Sequence, residues 1–435
     1  MIIELKFKNW TSFRDEECFV LAATQEKRLK NRLPKIRKSP VLNVSPIAAL
    51  YGGNASGKTN FFKLLSFLKK MVVFPLYDES EDIPLETFKF DSDNKISEIS
   101  LTFLTADDKI YTLELNLSAN EIIKEKLFLV KSTKLVPIYS RNHNKVELIS
   151  EKLKKDAKAK AFTLVLNKNQ LFLAISGAKV SELQCVWKWF QEQLVIINTK
   201  SGFNGYMDMV KTNPIDFQTL GNLLKDLDTG MCKLDVVESD LSVIPVKFNL
   251  EKLKMMLTEG KVAEFNFHGL RLIISKEQSQ LKVKKIISFH KNSDGKLIEF
   301  DLQQESEGSL RLLDILPAFI DLEKKDSKYV YIIDELDRSW HCALSRRLLG
   351  IYLSNCSENS RSQLIFSTHD LLLMDQNLFR RDEMWISERQ EDGASNLFSL
   401  AGSNIRYDKD IRKMYLQGAL GGVPKLVTFG NFIEA

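Results

Sequence analysis

The run Gly52-Gly53-Asn54-Ala55-Ser56-Gly57-Lys58-Thr59 stands between two apolar segments of different period. Ahead of it, Ile47-Ala48-Ala49-Leu50-Tyr51 reads as a buried strand; behind it, Asn60-Phe61-Phe62-Lys63-Leu64-Leu65-Ser66-Phe67-Leu68 reads as a helix. The eight residues between them fit G-x-x-x-x-G-K-[ST], in the strand-to-helix setting that this pattern needs. Glycines let the backbone curl so that successive N–H groups and the helix N-terminus converge on phosphate oxygens. Gly52, Gly53, Asn54, Ala55, Ser56, Gly57, Lys58, Thr59 and Asn60 are therefore candidate nucleotide contacts. Lys58 would reach the β- and γ-phosphates and the Thr59 hydroxyl would hold Mg²⁺.

A phosphate loop implies a nucleoside triphosphate but not its use, so its partners must lie further along. Lys328-Tyr329-Val330-Tyr331-Ile332-Ile333-Asp334-Glu335 is a β-branched and aromatic run ending in two carboxylates. It reads as a buried parallel strand whose C-terminal end opens on the site, where open α/β sheets bind their ligands. Asp334 would bind Mg²⁺ through its water shell, and Glu335 would orient and deprotonate the attacking water. Asp-Glu is also a common helix start; the phosphate loop upstream favours the catalytic reading.

Leu336-Asp337-Arg338-Ser339 follows at once, and Gln363-Leu364-Ile365-Phe366-Ser367-Thr368-His369-Asp370 is another apolar strand, ending in Thr-His. His369 at such a strand end can hydrogen-bond the γ-phosphate or the attacking water. Upstream, Glu305-Ser306-Glu307-Gly308-Ser309 opens the amphipathic stretch Leu310-Arg311-Leu312-Leu313-Asp314-Ile315-Leu316. Its N-terminal amides and the Ser306 hydroxyl form an anion site, although a plain helix cap would look the same in isolation.

Phosphate loop, Ser-x-Gly signature, Asp-Glu strand, Asp-containing loop and strand-end His, in that order, resemble an ABC-type ATPase head. The chromosome-maintenance (SMC) and recombination-repair (RecF) heads begin in a similar way to Met1-Ile2-Ile3-Glu4-Leu5-Lys6-Phe7-Lys8-Asn9-Trp10-Thr11-Ser12-Phe13-Arg14. A narrower resemblance, to OLD ATPases and to the ATP-binding subunits of phage-defence systems such as PARIS (AriA) and RloA, rests on residues 51–60, Asn169-Gln170-Leu171-Phe172-Leu173, Leu224-Lys225-Asp226-Leu227-Asp228-Thr229-Gly230, residues 305–309 and the tail Tyr415-Leu416-Gln417-Gly418-Ala419-Leu420-Gly421-Gly422-Val423-Pro424.

The resemblance implies ATP and Mg²⁺ as cofactors and a mechanism that one copy cannot perform. Two protomers sandwich two ATP molecules, so that Ser306, Glu307, Gly308 and Ser309 of one copy meet the γ-phosphate held by Lys58 of the other, and Asp337 sits at the seam. Glu307 stands where many transporters have glycine, Trp340-His341 replaces a common Leu-His, and the glutamine of the usual Q-loop has no assigned position.

With 44% hydrophobic and 27% charged residues, the 435-residue chain can bury a large core. No apolar run approaches the roughly 18 residues of a membrane span, and the N-terminus lacks a signal-peptide pattern, so the expected location is cytoplasmic, without a membrane partner. Cys18, Cys185, Cys232, Cys342 and Cys356 show no C-x-x-C spacing and read as reduced thiols. A formal charge of +5 permits nucleic-acid contact without arguing for it.

The expected fold is α/β: an ABC-type phosphate-loop ATPase head with an antiparallel β subdomain and a mainly helical insertion. Residues 1–84 form an N-terminal ATPase lobe, 85–135 the β subdomain, 136–285 the insertion, and 286–435 a C-terminal lobe with signature, acidic strand, Asp337 loop and His369. Within the insertion, residues 145–161 read as a lysine-rich solvated helical stretch, and Leu183, Val186, Trp187, Phe190 and Leu194 recur at helical spacing. Further helices are expected over residues 214–227 and 250–260.

About 65 residues follow His369, too few for the nuclease domain that OLD proteins carry there, since a domain typically needs about 100 residues. The favoured expectation is an ATP-hydrolysing sensor or scaffold subunit of an antiphage defence complex. It would form an ATP-sandwich dimer or larger homo-oligomer, hold a separate toxin or nuclease effector, and respond to a phage protein. The alternative is a DNA-binding maintenance or repair ATPase of the RecF/SMC type, supported by the lysine-rich stretch. A transporter ATPase fits less well because the insertion is of the wrong kind.

Overall fold

All five residues of the strand Ile47–Tyr51 are buried, because neighbouring strands flank it on both sides and other elements cover both faces. The computed structural model describes residues 1–38, 40–91, 93–198, 214–227, 229–244, 250, 253–254, 257, 262–267, 269–278, 280–338, 340–402 and 409–422. In it, Ile47–Tyr51 lies inside a six-stranded sheet of order Leu194–Ile197, Val330–Ile333, Gln363–Ser367, Ile47–Tyr51, Met384–Arg389 and Ser395–Ser399. The acidic strand, the His369 strand, the loop strand and Met384–Arg389 run parallel. Ser395–Ser399 closes the edge antiparallel. Val330–Ile333 and Gln363–Ser367 are buried throughout and mainly apolar, as parallel strands covered on both faces must be.

The helix Lys58–Val73 packs its buried face, including Phe61, Phe62, Leu64, Leu65, Leu68 and Val72, into one core shared with Ala48, Leu50, Ile332 and Ile365. The other wall of this core is a seven-stranded antiparallel sheet, ordered Lys145–Leu148, Lys134–Asn142, Ile122–Lys131, Ile110–Leu117, Ser97–Leu104, Ile2–Lys8 and Glu17–Val20. Aromatic contacts fasten the layers: Phe19 lies 4.8 Å from Phe61 and 4.6 Å from Trp385, and Trp10 lies 5.0 Å from Phe67, centroid to centroid. The antiparallel subdomain expected over residues 85–135 is thus part of a larger sheet that recruits the N-terminal strand and extends to Leu148.

The chain divides into two compact units. The first comprises Met1–Ile196, Lys325–Asp337 and Cys342–Ala435; the second comprises Ile197–Lys324 and Arg338–His341. This division does not follow the boundary expected at residue 286, because the signature helix falls in the second unit and the acidic strand in the first.

In the first unit, the insertion is helical over Glu151–Lys155, Ala157–Leu164, Phe172–Ser176 and Gln184–Lys188, with a π-helical turn at Trp189–Gln193. Residues 145–148, expected as part of a lysine-rich helix, form a strand, and Ser150 and Asp156 cap the two short helices behind it. Leu183, Val186 and Phe190 are buried, as their spacing required. Asn169 and Gln170 act as a clamp: Asn169 Nδ2 donates to the Asp78 and Glu81 carbonyls at 2.8 Å each, and Glu125 accepts the Phe172 and Leu173 amides at 2.7 and 3.0 Å.

The second unit turns to strands. Met231–Ser239, Gln280–Lys291, Leu270–Glu277 and Val262–Phe267 form an antiparallel sheet to which Leu297–Asp301 adds an edge. The helices Pro214–Asp226 and Glu307–Leu322 belong to the same unit. Helical character therefore holds for the first part of the insertion and for residues 214–226, while its later part is antiparallel sheet. The helix expected over residues 250–260 and the tail beyond Gly422 lie mostly outside the described residues.

Candidate functional site

Tyr51 ends its strand at Gly52, whose φ of +148° and contact with the neighbouring strand leave no room for a side chain. A Cβ there would meet the Ser387 carbonyl oxygen at 2.2 Å. The loop then passes through Ala55 and Gly57, at φ of 59° and 112°, into the helix Lys58–Val73. No side chain among the described residues caps that helix, which leaves its first-turn amides for an anion.

Lys58 is folded back over the loop. Its ammonium donates to the Gly52 and Gly53 carbonyls at 2.7 and 2.9 Å, using two of its three N–H bonds. Burial lowers its pKa from 10.5 to about 8, against the raising influence of Asp334, Glu335 and Asp337. That opposition shows that the loop lysine and the three carboxylates share one electrostatic neighbourhood. Ser56 Oγ is buried without a hydrogen-bond partner among the described residues, while the Ser56 carbonyl accepts the Ser387 hydroxyl at 2.7 Å.

Parallel registry places the carboxylates. Ile333 pairs with Phe366, so Asp334 and Ser367 emerge side by side at the strand ends. The Ser367 hydroxyl donates to Asp334 Oδ1 at 2.6 Å and accepts the Glu335 N–H at 2.7 Å. Glu335 itself sits at a φ of 51°, a left-handed conformation uncommon outside glycine and typical of residues held for function. Asp337 Oδ2 accepts the His369 N–H at 3.3 Å, and Asp337 Oδ1 is buried without a partner among the described residues. The His369 side chain is exposed, yet partial desolvation and then Lys58 lower its pKa, against Asp337, Glu335 and Asp334. A lowered pKa favours the neutral imidazole, which donates a hydrogen bond through one ring nitrogen and accepts through the other.

The residues fit MgATP. The Thr59 hydroxyl and the Asp334 carboxylate are hard oxygen donors of the kind Mg²⁺ takes alongside substrate phosphates. The loop supplies uncapped amides, a lysine with a spare donor and an orphaned serine hydroxyl. The arrangement can bind a triphosphate, hold a divalent ion and present a carboxylate to a water molecule.

Ser306, Glu307, Gly308 and Ser309 lie in the second unit, at the head of the helix Glu307–Leu322. Ser306 is its N-cap, accepting the Ser309 N–H at 3.1 Å and donating to the Ser309 hydroxyl at 2.9 Å. The helix is anchored by a buried ion pair in which Arg271 donates to both Asp314 oxygens, at 2.8 and 3.0 Å. Glu305, just before the cap, accepts from the Ser288 hydroxyl at 2.5 Å and lies 2.6 Å from His290 Nε2.

Sequence reasoning missed the supporting roles of four residues. Ser367 was visible only as a strand residue, and its role depends on registry. Ser12 accepts from Asn60 Nδ2 at 3.0 Å and Trp10 Nε1 donates to the Asn60 carbonyl at 2.8 Å, tying the N-terminal strand to the loop helix. Gly422 accepts the Gly53 N–H at 3.0 Å and the Tyr415 hydroxyl at 2.8 Å, so the glycine-rich tail braces the phosphate loop.

The family described as "AAA domain, putative AbiEii toxin, Type IV TA system" matches residues 47–183 and 212–375, which include every candidate site residue. The chain belongs to this family. As an AAA-family protein it is an ATPase of the AAA/ABC type, with the α/β head that its sequence led one to expect. No curated protein matches it.

Among solved structures it is similar to an SMC head bound to the C-winged helix domain of ScpA (13% identity, 92% of this chain and 97% of that one, TM-score 0.41). It is similar also to the SMC head domain from Thermotoga maritima (13%, 92% and 98%, TM-score 0.36). A third is the ATP-bound recombination mediator RecF (11%, 92% and 99%, TM-score 0.38). No helix among the described residues is long and apolar enough to cross a membrane.

Proposed function

We propose that this AAA-family protein binds and slowly hydrolyses ATP with Mg²⁺, and that it serves as the ATP-dependent subunit of an antiphage defence complex, holding a separate toxin or nuclease and releasing or activating it on a phage signal. The observation that carries the ATPase half is the meeting of Lys58, Asp334, Glu335, Asp337 and His369 in one electrostatic neighbourhood at the ends of parallel strands. The defence half is supported by the family's description, which couples this domain to toxin–antitoxin systems, and by the resemblance of the loop, signature and tail sequences to ATP-binding subunits of phage-defence systems.

MgATP supplies the scissile phosphoanhydride and the charge that polarises it. Lys58 and the loop amides hold the triphosphate, Thr59 and Asp334 hold the ion, and the Glu335 carboxylate takes the proton from the attacking water. Neutral His369 hydrogen-bonds the γ-phosphate side of the site. The first-turn amides at Glu307 and Gly308, with the hydroxyls of Ser306 and Ser309, complete the site from a second copy, so that nucleotide also controls assembly.

Size-exclusion chromatography with the product of the adjacent gene, with and without ATP, tests the defence reading; no complex in either condition contradicts it. A second reading, direct action on DNA, is favoured by Lys152, Lys154, Lys155, Lys158 and Lys160, all exposed on two consecutive short helices. It requires salt-dependent duplex binding that stimulates hydrolysis.

A further inference from the structure

Glu305 is the residue before Ser306, the N-cap of the helix Glu307–Leu322. Only 5% of its side chain is exposed, although a carboxylate ordinarily stays in water. A buried carboxylate needs compensating donors, and here two converge on one oxygen. The Ser288 hydroxyl donates to Glu305 Oε1 at 2.5 Å, and His290 Nε2 lies 2.6 Å from the same atom. The Glu305 amide donates to the Leu302 carbonyl at 3.1 Å, so backbone and side chain are both fixed one residue before the cap.

The donors stand on a rigid support. Ser288 and His290 are two residues apart on Gln280–Lys291 and therefore share a face of the sheet. That strand is flanked on both sides: His290 pairs with Met231 and with Ile298. The imidazole packs on Phe300, with centroids 4.6 Å apart. Its Nδ1 edge is closed by Gly230, at a φ of +81°, where a Cβ would lie 3.1 Å from Nδ1.

Gly230 ends the sequence motif that starts at Leu224. Just before it, the Thr229 hydroxyl donates to the Leu224 carbonyl at 2.7 Å and accepts the Met231 N–H at 3.2 Å. This ties the end of the helix Pro214–Asp226 to the strand that follows and sets Gly230 against the ring. Turn, imidazole and carboxylate thus form one connected support that ends at the signature.

We infer that Glu305 and His290 are positioning residues for the signature: with Ser288 they hold the chain at Ser306, so that the cap and the first-turn amides meet a partner's γ-phosphate in a preset orientation. They act through Ser306 rather than on the nucleotide. A preset signature closes on its partner at lower cost than one that must first be ordered. The inference rests on the proposal that a second copy completes the site, and the experiment separates the two.

ATP turnover per protomer is measured against protein concentration, with ATP affinity by calorimetry, for the parent, Glu305→Ala, Glu305→Gln and His290→Phe. Glutamine keeps an acceptor oxygen for both donors; phenylalanine keeps a ring on Phe300 but has no N–H. Loss of hydrogen bonds to a carboxylate raises the protein concentration for half-maximal turnover about 10-fold or more in Glu305→Ala and His290→Phe. Glu305→Gln restores most of that shift, and ATP affinity is unchanged in all three. Should Glu305→Ala fail to fold, His290→Phe decides. Variant curves that coincide with the parent's overturn the assignment, as does a matching loss of ATP affinity or a shift in Glu305→Gln as large as in Glu305→Ala. A parent whose turnover per protomer is independent of concentration overturns the two-copy reading, and the inference with it.

Discussion

The Ser367 hydroxyl donates to Asp334 Oδ1 at 2.6 Å while accepting the Glu335 N–H at 2.7 Å, so one buried side chain fixes both the carboxylate proposed to bind the ion and the backbone of the proposed base. Ser367→Ala removes both hydrogen bonds at once, one to the Asp334 carboxylate and one from the Glu335 amide. A hydrogen bond to a charged group contributes about 2 kcal/mol, so the variant unfolds in urea with roughly that loss of stability. Its ATP turnover falls with little change in ATP affinity, because the phosphate cradle is untouched.

Lys58 gives the site a pH dependence of defined sign. Its folded pKa of about 8 lies below the ordinary 10.5, so between those values the unfolded chain holds a proton that the folded chain has lost. Stability of the nucleotide-free protein therefore rises with pH across that window as far as Lys58 is concerned. ATP binding needs the ammonium and runs the opposite way. Affinity measured by calorimetry is expected to weaken as pH rises through about 8, and Lys58→Ala is expected to abolish binding at every pH.

Glu335→Gln keeps the shape and the Ser367 contact to the backbone but removes the proton acceptor. Loss of a general base costs about 10²–10⁴ in rate. Phosphate release from MgATP is expected to fall by at least that lower factor while ATP affinity is retained; turnover equal to the parent would refute the assigned role.

What could be read from the sequence was what depends on near neighbours in the chain. The phosphate loop, the strand before it and the helix behind it form one local unit, and Val330–Ile333 and Gln363–Ser367 announce burial by composition. Ser367 escaped because its function arises from the registry of Ile333 with Phe366. The N-terminal strand joined the antiparallel sheet through pairing of Leu5 with Leu101, far apart in sequence. In the second unit, Gln280–Lys291 has apolar residues in a run at Ile286-Ile287 as well as in alternation, and short apolar runs of that kind do not distinguish strand from helix.

The tail's contact with the loop was invisible for the same reason, and it can be tested. A Cβ at Gly422 would lie 2.5 Å from Ile386 Cγ2, and its φ of +71° disfavours any branched residue. Gly422→Val is expected to withdraw the carbonyl from the Gly53 N–H and the Tyr415 hydroxyl. Two such bonds contribute about 1–3 kcal/mol together, read as a lower urea midpoint and as weaker ATP binding.

A second copy is proposed to complete the ATP site. Light scattering on Glu335→Gln during size exclusion, with and without saturating MgATP, tests it most directly. The expected result is the 50.0 kDa chain mass without nucleotide and at least twice that mass with it, lost again when Ser306→Arg is added to the variant. An unchanged mass in a protein shown to be saturated with ATP would contradict it.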